Sequence, residues 1–421
     1  MTDKPQSLWA ATARPGPDLS ALAESRRTDV LVIGGGFTGL STALHLAEAG
    51  VAVTLLEAET PGHGGSGRNG GQVIPGLKDD PDGLDALFGP AATAFAGGTA
   101  DILFDLVARH GIDCDASRDG WIQASLKDSH LPALERRMAQ WQVRGAPVEW
   151  LDAQAIAEAT GTRRFRGGWR DLRAGRVHPL NYVQGLAAAA RRTGADLFAH
   201  SRVVEIRRTD AGWQARTQSG ATVTADRVVL VTNAYTPPNL YRRIETTLVA
   251  ANSIQIATPP LPPDLLKRIL PGRSVLSESR RVGTYFRIGP GNRLMIGGRG
   301  RFSHGGTPAD YGIIERELRA FFPEAARLGV EYRWSGRVGM TADHRVRLFE
   351  PDTGMIVAMG YNGRGVALGT AMGKALADHL ARGTPLPLPS RKIDPLPFHR
   401  FHRSYGAAAI AWYRLRDALE R

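Results

Sequence analysis

The chain has 421 residues, 43% of them hydrophobic and 22% charged, with one cysteine and a formal net charge of +12. These proportions exclude a disordered polyelectrolyte and a disulfide scaffold, and no run approaches the roughly 20 apolar residues that span a bilayer. The charge alone invites a nucleic-acid or anionic-surface reading, but arginines are scattered, lysines are few and no basic block occurs, so neither is expected.

The first 27 residues precede the first strand and read as a surface lead anchored by Trp9. Residues 29–33 are a short apolar run suited to a buried parallel strand. Gly34, Gly36 and Gly39 then supply a G-x-G-x-x-G turn that opens a helix, in which Leu40, Ala43, Leu44 and Ala47 recur at helical spacing. The first glycine permits the tight turn, the second a close approach of backbone amides to a pyrophosphate, and the third close packing of helix on strand. Phe37 and Thr38 begin the helix at those phosphates. Residues 51–56 form the next strand, and Glu57 at its end, beside Ala58, is placed to accept hydrogen bonds from a ribose diol and to disfavour a 2′-phosphate. Strand, turn, helix, strand and acid in this order predict an adenine-dinucleotide site.

A glycine-dense loop follows over 63–78. Helices are expected over 85–110 and 131–144, and strands over 120–124 and 147–151. Pro179–Arg192 reads as a helix, 203–207 as a strand, and 213–219 with 222–225 as a hairpin. The apolar strand 228–232 is expected to be central and buried on both faces. Short β runs over 246–257, 283–288 and 293–298, with a helix over 309–322, read as part of a second sheet. Met355–Met359 leads into a second strand, glycine-turn and helix unit over 360–383, then a proline linker over 385–389 and a basic amphipathic helix over 407–419. Three glycine-bearing loops at strand ends favour a flavin over a nicotinamide dinucleotide, because the longer cofactor must be approached by backbone from several sides.

The fingerprint at 34–39, Ser66-Gly67-Arg68-Asn69-Gly70-Gly71-Gln72, Gly175-Arg176-Val177-His178-Pro179 and Gly360-Tyr361-Asn362-Gly363-Arg364-Gly365-Val366 together resemble the D-amino-acid-oxidase-like (glycine/sarcosine oxidase) family of FAD oxidoreductases. The gamma-glutamylputrescine oxidoreductase-like branch is the most similar. The resemblance runs from about Trp9 to the final helix. It implies an α/β plus α+β chain, a Rossmann-like FAD-binding domain (1–80, 150–240 and 335–385) interleaved with a mixed-sheet substrate-binding domain (81–149 and 241–334), and a C-terminal linker and helix (386–421).

It also implies cofactor contacts. Ser66, Arg68, Asn69, Gly70, Gly71 and Gln72 belong to the loop against the isoalloxazine and pyrophosphate. Val203 meets the adenine, and Thr232 and Asn233 pass under the diphosphate. Asn362, Gly363, Arg364, Gly365 and Val366 face the flavin, where a helix N-terminus favours the anionic reduced ring. Arg337, with Thr341, closes the pocket. FAD is expected to be non-covalent, since the only thiol is Cys114. Tyr285, Arg287, Met340 and Tyr361 are candidates to line the substrate side, and no catalytic side chain and no metal site is assigned.

Two departures bear on substrate. Sarcosine-oxidase relatives place a carboxylate-binding lysine and arginine where this chain has Ala367 and roughly Pro75, and Thr341-Ala342-Asp343-His344 lacks the branch's usual proline. The absent clamp favours an amine or ω-substituted substrate. The expected activity is oxidation of a C–N bond in a primary or secondary amine, a gamma-glutamylated polyamine among the candidates, by hydride transfer to flavin N5 and imine hydrolysis. The acceptor is oxygen or another electron acceptor. Alternatives are an oxidase or dehydrogenase of a cyclic or N-substituted amino acid (pipecolate-, proline- or glycine-like), and a non-catalytic flavin-binding or RNA-associated basic protein. A single thiol and an N-terminus without a signal pattern point to the cytoplasm.

Overall fold

The computed structural model describes residues 7–300 and 307–419. Alternate residues of the strand Arg26–Ile33 serve two cores: Val30 and Val32 pack with the helices on one face, and Leu31 and Ile33 pack on the other. That two-sided burial sets the strand in the middle of a sheet. Thr222–Leu230 and Val53–Leu56 flank it in parallel register, Met355–Met359 and Asp196–Phe198 extend the sheet outward, and Arg347–Asp352 pairs antiparallel at an edge. The chain order therefore reverses at Arg26–Ile33, and the crevice at its carboxyl end is where such sheets take ligands.

Helices Phe37–Glu48, Pro179–Arg192 and Ala367–Arg382 cover one face through Leu40, Leu44, Tyr182, Leu186, Leu368 and Met372. Small residues bring two of these helices together. A Cβ on Gly373 would overlap Ser41, whose hydroxyl donates to the Thr370 carbonyl at 2.8 Å.

The second sheet runs in the order Tyr332–Met340, Val249–Pro260, Arg293–Arg299, Thr284–Gly289, Val275–Glu278, Trp121–Ser125, Gly167–Asp171, Val148–Leu151. Helix Pro308–Phe321 packs on it through an aromatic group of Phe286, Phe321 and Phe322. A two-stranded piece, Gln72–Val73 with Gly175–Arg176, ties the glycine loop to the chain that precedes helix Pro179–Arg192.

The expected mixed α/β architecture is present, with three differences. The hairpin strand at 222–225 and the apolar strand at 228–232 are one strand, Thr222–Leu230, because the polar Asp226-Arg227 pair lies within a continuous ladder. The helix read over 85–110 breaks at Gly89 (φ 82°) into Pro81–Phe88 and Pro90–His110. The second of these is 21 residues long and has an 18-residue window of mean hydropathy 1.3, which by length and composition alone is enough to cross a membrane. Its Ala92, Ala100, Leu103 and Leu106 are buried in the first core. Finally, Gly167–Asp171 and Tyr332–Met340 hydrogen-bond in the second sheet, although 150–240 and 335–385 were assigned to the first domain.

Candidate active site

The crevice between the sheets is a cavity of about 630 Å³. Gly34, with φ 115°, turns the chain out of the first strand, and helix Phe37–Glu48 begins at Gly36 without a side-chain cap, so its first turn presents amide donors to the cavity. Phe37 and Thr38 line this end. Ser66 Oγ accepts from the Phe37 amide at 3.1 Å, and a Cβ on Gly36 would crowd that hydroxyl. Glu57 holds the next strand's end: its Oε2 accepts from Gly35 N at 2.6 Å and its Oε1 from Glu59 N at 2.9 Å. Ala58, Val203, Thr232 and Asn233 complete this wall.

The side chains of Arg68, Asn69 and Gln72 tie the loop Ser66–Gln72 to itself and to the second sheet. Asn69 donates to the carbonyls of Gly65 and Ser66 and accepts from Gly71 N, while the Asn69 carbonyl accepts from Trp9 Nε1 at 2.8 Å. Arg68 Nε donates to the His63 carbonyl at 2.8 Å, and the Arg68 carbonyl accepts from Gln255 and Trp334 of the second sheet. Gln72 donates to the Leu276 and Phe286 carbonyls. Gly70 also faces the cavity, and a Cβ there would press on the Tyr285 ring.

Across the cavity, Asn362 adopts φ 53°, and its side chain accepts from Thr341 N at 2.9 Å. Asn233 Oδ1 accepts from Gly360 N at 2.9 Å, which joins the chain just beyond the strands Thr222–Leu230 and Met355–Met359. Gly363, Gly365 and Val366 line the cavity and lead into helix Ala367–Arg382, which also lacks a side-chain cap. Arg364 Nη1 donates to the Pro75 carbonyl at 3.0 Å with its guanidinium over Trp121, and burial holds it down to about 9. Arg337 is exposed at the rim over the Tyr235 ring.

Of the sequence-selected residues, four lie outside the lining: Gly39, Gly71, Arg287 and Thr341, the last buried beside Asn362. Gly39 and Gly71 stand behind it. A Cβ on Gly39 would overlap the Gly34 carbonyl, which is the predicted packing role, and Gly71 (φ 66°) leaves no room beside Arg287 and the Val177 carbonyl. Arg287 corrects the substrate assignment. It is buried beneath the loop and donates from Nη1 to the carbonyls of Gly70, Gly71 and Val177 at 3.1, 3.1 and 2.8 Å. Tyr285 and Met340 do face the cavity, with the Tyr285 hydroxyl 2.8 Å from Ser253 Oγ and its phenol pushed up to about 12 by burial. Tyr361 lines it too, but its hydroxyl accepts from Thr38 at 2.9 Å, so it spans to the first helix.

Sequence reasoning missed Trp121, Gln123, Lys78 and Arg299 in the lining. Lys78, directly after the glycine loop and one of only six lysines, was the available signal. Burial, and then the charges of Arg364, Arg137 and Arg299, lower its ammonium to about 7.

The donor set fits FAD. Two uncapped helix N-termini and an acid at a strand end share one cavity with a backbone-lined loop, which suits a diphosphate, a ribose and a flat ring. Residues 29–379 match the DAO family, described as FAD dependent oxidoreductase. The chain is 32% identical to gamma-glutamylputrescine oxidoreductase of Escherichia coli (strain K12) over 100% of both chains. It is also 32% identical to the probable oxidoreductase OrdL of Rhizobium meliloti, over 98% of this chain and 97% of the relative. The fold is similar to the crystal structure of glycine oxidase from Geobacillus kaustophilus, with a TM-score of 0.74 at 22% identity, covering 86% of this chain and 96% of that one. L-Proline dehydrogenase from P. horikoshii also has a TM-score of 0.74, at 18% identity, with 90% of this chain and 99% of that one covered.

Proposed function

The chain belongs to the DAO family of FAD-dependent oxidoreductases, and on that premise we propose that it oxidises a C–N bond in a primary or secondary amine, with a gamma-glutamylated polyamine as the leading substrate class. FAD, when bound, supplies the two-electron acceptor for a hydride from the carbon beside nitrogen. The Gly34–Thr38 turn would hold the diphosphate, Glu57 and Ala58 the ribose, and Val203 the adenine side. Thr232 and Asn233 support the strand ends beneath it. The Ser66–Gln72 loop and Asn362–Val366 would hold the ring. Cys114 is buried away from the cavity lining, which agrees with non-covalent binding.

The observation that carries the reading is the cavity's combination of a dinucleotide end and an enclosed cationic end. An amine can lose a hydride only with its nitrogen lone pair free, so the site must disfavour the ammonium form. Lys78, itself an alkylamine in this cavity, is held near 7, and a substrate amine beside Arg299 and Arg364 meets the same field. Trp121, Tyr285 and Met340 exclude water from that side, and the neutral Tyr285 hydroxyl offers a hydrogen bond without competing charge. Water then hydrolyses the resulting imine to carbonyl and amine, so no protein nucleophile is required. The same cationic end supports a second reading, a cyclic or N-substituted amino acid whose carboxylate meets those charges.

The test is anaerobic mixing of the FAD-loaded protein with amines of graded structure, followed by the flavin's visible band. Bleaching by a gamma-glutamylated diamine supports the first reading. Bleaching by proline or pipecolate alone supports the second.

A further inference from the structure

The helix His402–Leu419 lies past residue 379, where the family match ends, and the chemistry of the cavity makes no use of it. Among the described residues eleven large hydrophobic side chains are exposed, and seven of them, from Phe398 to Leu419, lie in this helix and the turn that enters it. Such a concentration of apolar surface marks a contact with another body.

Phe401, Tyr405, Ala408, Trp412, Leu415 and Leu419 follow one another at alternating steps of four and three residues, so they form one apolar stripe along the outer side of the helix. Trp412 is 57% and Leu419 71% exposed. The opposite side is fixed to the protein. Gly406 is buried there and Ile410 half-buried. The Asp417 carboxylate accepts from Arg281 Nη1 and from Val282 N, each at 3.2 Å, and at the other end His399 Nε2 donates to the Leu248 carbonyl at 2.9 Å. A helix pinned at both ends does not roll to bury its stripe without breaking those bonds.

Charge selects the occupant. Although the sequence has no basic block, residues 399–419 carry Arg400, Arg403, Arg414 and Arg416, all exposed, against a single acid, Asp417, which Arg281 engages. Arg400 lies with its guanidinium over the Phe401 ring, and Arg416 stands one turn beyond Trp412, so the stripe has a cation at each end. Pairing with a second copy would set these arginines against their own counterparts. An anionic lipid surface offsets them instead, and aromatic rings bordered by arginine are the composition of a helix that lies at the headgroup boundary. We propose that the outer face of His402–Leu419 docks the protein peripherally on an anionic bilayer. Arg281 and Val282, which hold the helix, also line the cavity, so docking sets that rim of the active site beside the lipid.

FAD-loaded protein is sedimented with sucrose-filled vesicles of mixed phosphatidylglycerol and phosphatidylcholine, and with vesicles of phosphatidylcholine alone. The mixed vesicles bind it at about 0.15 M salt and the neutral ones do not, and higher salt weakens the binding. Trp412→Ser combined with Leu415→Ser weakens binding at least about 10-fold, and Arg400→Gln combined with Arg416→Gln about 30-fold, with flavin content and circular dichroism unchanged. Trp412→Phe still binds but loses the quenching of tryptophan fluorescence by brominated lipid, which tests the stripe even where a paired variant misfolds. Equal binding to both kinds of vesicle, binding to neither, or mixed-vesicle binding that survives the loss of Trp412 and Leu415 overturns the proposal. Retention on RNA as strong as on the mixed vesicles, and untouched by the Trp412 and Leu415 substitutions, overturns it in favour of a polyanion held by charge alone. A dimer that forms without lipid and is abolished by that pair of substitutions, in a protein that no vesicle binds, overturns it and assigns the stripe to a second copy.

Discussion

Arg287 donates from Nη1 to the Gly71 carbonyl at 3.1 Å, so a buried guanidinium with no carboxylate partner among the described residues serves as the underside of the glycine loop. It also donates to the Gly70 and Val177 carbonyls and, from Nε, to the Ile288 carbonyl at 3.3 Å, with the charge lying over the Trp9 ring. Arg287→Met keeps much of the volume and leaves the Gly70 and Val177 carbonyls without this donor, while Gly71 keeps only the Val177 amide. The expected loss is about 2–4 kcal/mol of stability with a parallel fall in FAD retention, checked by urea unfolding and by flavin content after gel filtration.

Trp9 holds the same loop at the Asn69 carbonyl. Trp9→Phe preserves the packing against His178 and Trp334 but removes the Nε1 bond to the Asn69 carbonyl. About 1 kcal/mol of stability is expected to go, with weaker FAD binding and no change in secondary structure by circular dichroism.

How much of this was legible follows from sequence distance. The Gly34–Glu57 unit is local, spanning about two dozen residues, and its strand, turn, helix and second strand fold in the order read. Trp9 reads as an anchor, yet its partner lies 60 residues on, and nothing in sequence names it. Arg287, like Tyr285 on the same strand face, reads as cavity-lining because it lies in the sheet expected to face the ring. That face passes beneath the loop, so one residue looks into the cavity and its neighbour two positions on supports the loop from below. Gly167–Asp171 escaped notice because a Gly-Gly start argues against a strand. Its Gly168 has no room for a Cβ beside the Gln123 carbonyl, a requirement visible only once the strands pair.

Gly39→Ala sets a methyl against the Gly34 carbonyl, where neither backbone can yield without moving helix from strand. The variant is expected to lose several kcal/mol and to be isolated without flavin, whereas Gly50→Ala, with open space around it but φ 76°, should cost only about 1 kcal/mol and keep its flavin. Thermal melts and flavin content distinguish the two.

His178 gives the acid limb. Burial lowers it from 6.5 to about 4, and its ring nitrogens meet Asn181 N and Thr12 Oγ1. The unfolded chain binds the proton more readily than the fold, so this contribution is complete above about pH 6.5 and is lost as pH falls toward 4. Between about pH 7.5 and pH 5 the expected loss is about 2 kcal/mol, and His178→Asn should flatten that slope in urea titrations at the two pH values.

Anaerobic reduction of the bound flavin addresses the central claim most directly. The purified protein is expected to be yellow with FAD, and its visible band to bleach on mixing with a carboxylate-bearing amine such as a gamma-glutamylated diamine, with an aldehyde or ketone recovered after hydrolysis. Colourless protein that refuses FAD, or a flavin that no amine or amino acid bleaches, would contradict the account.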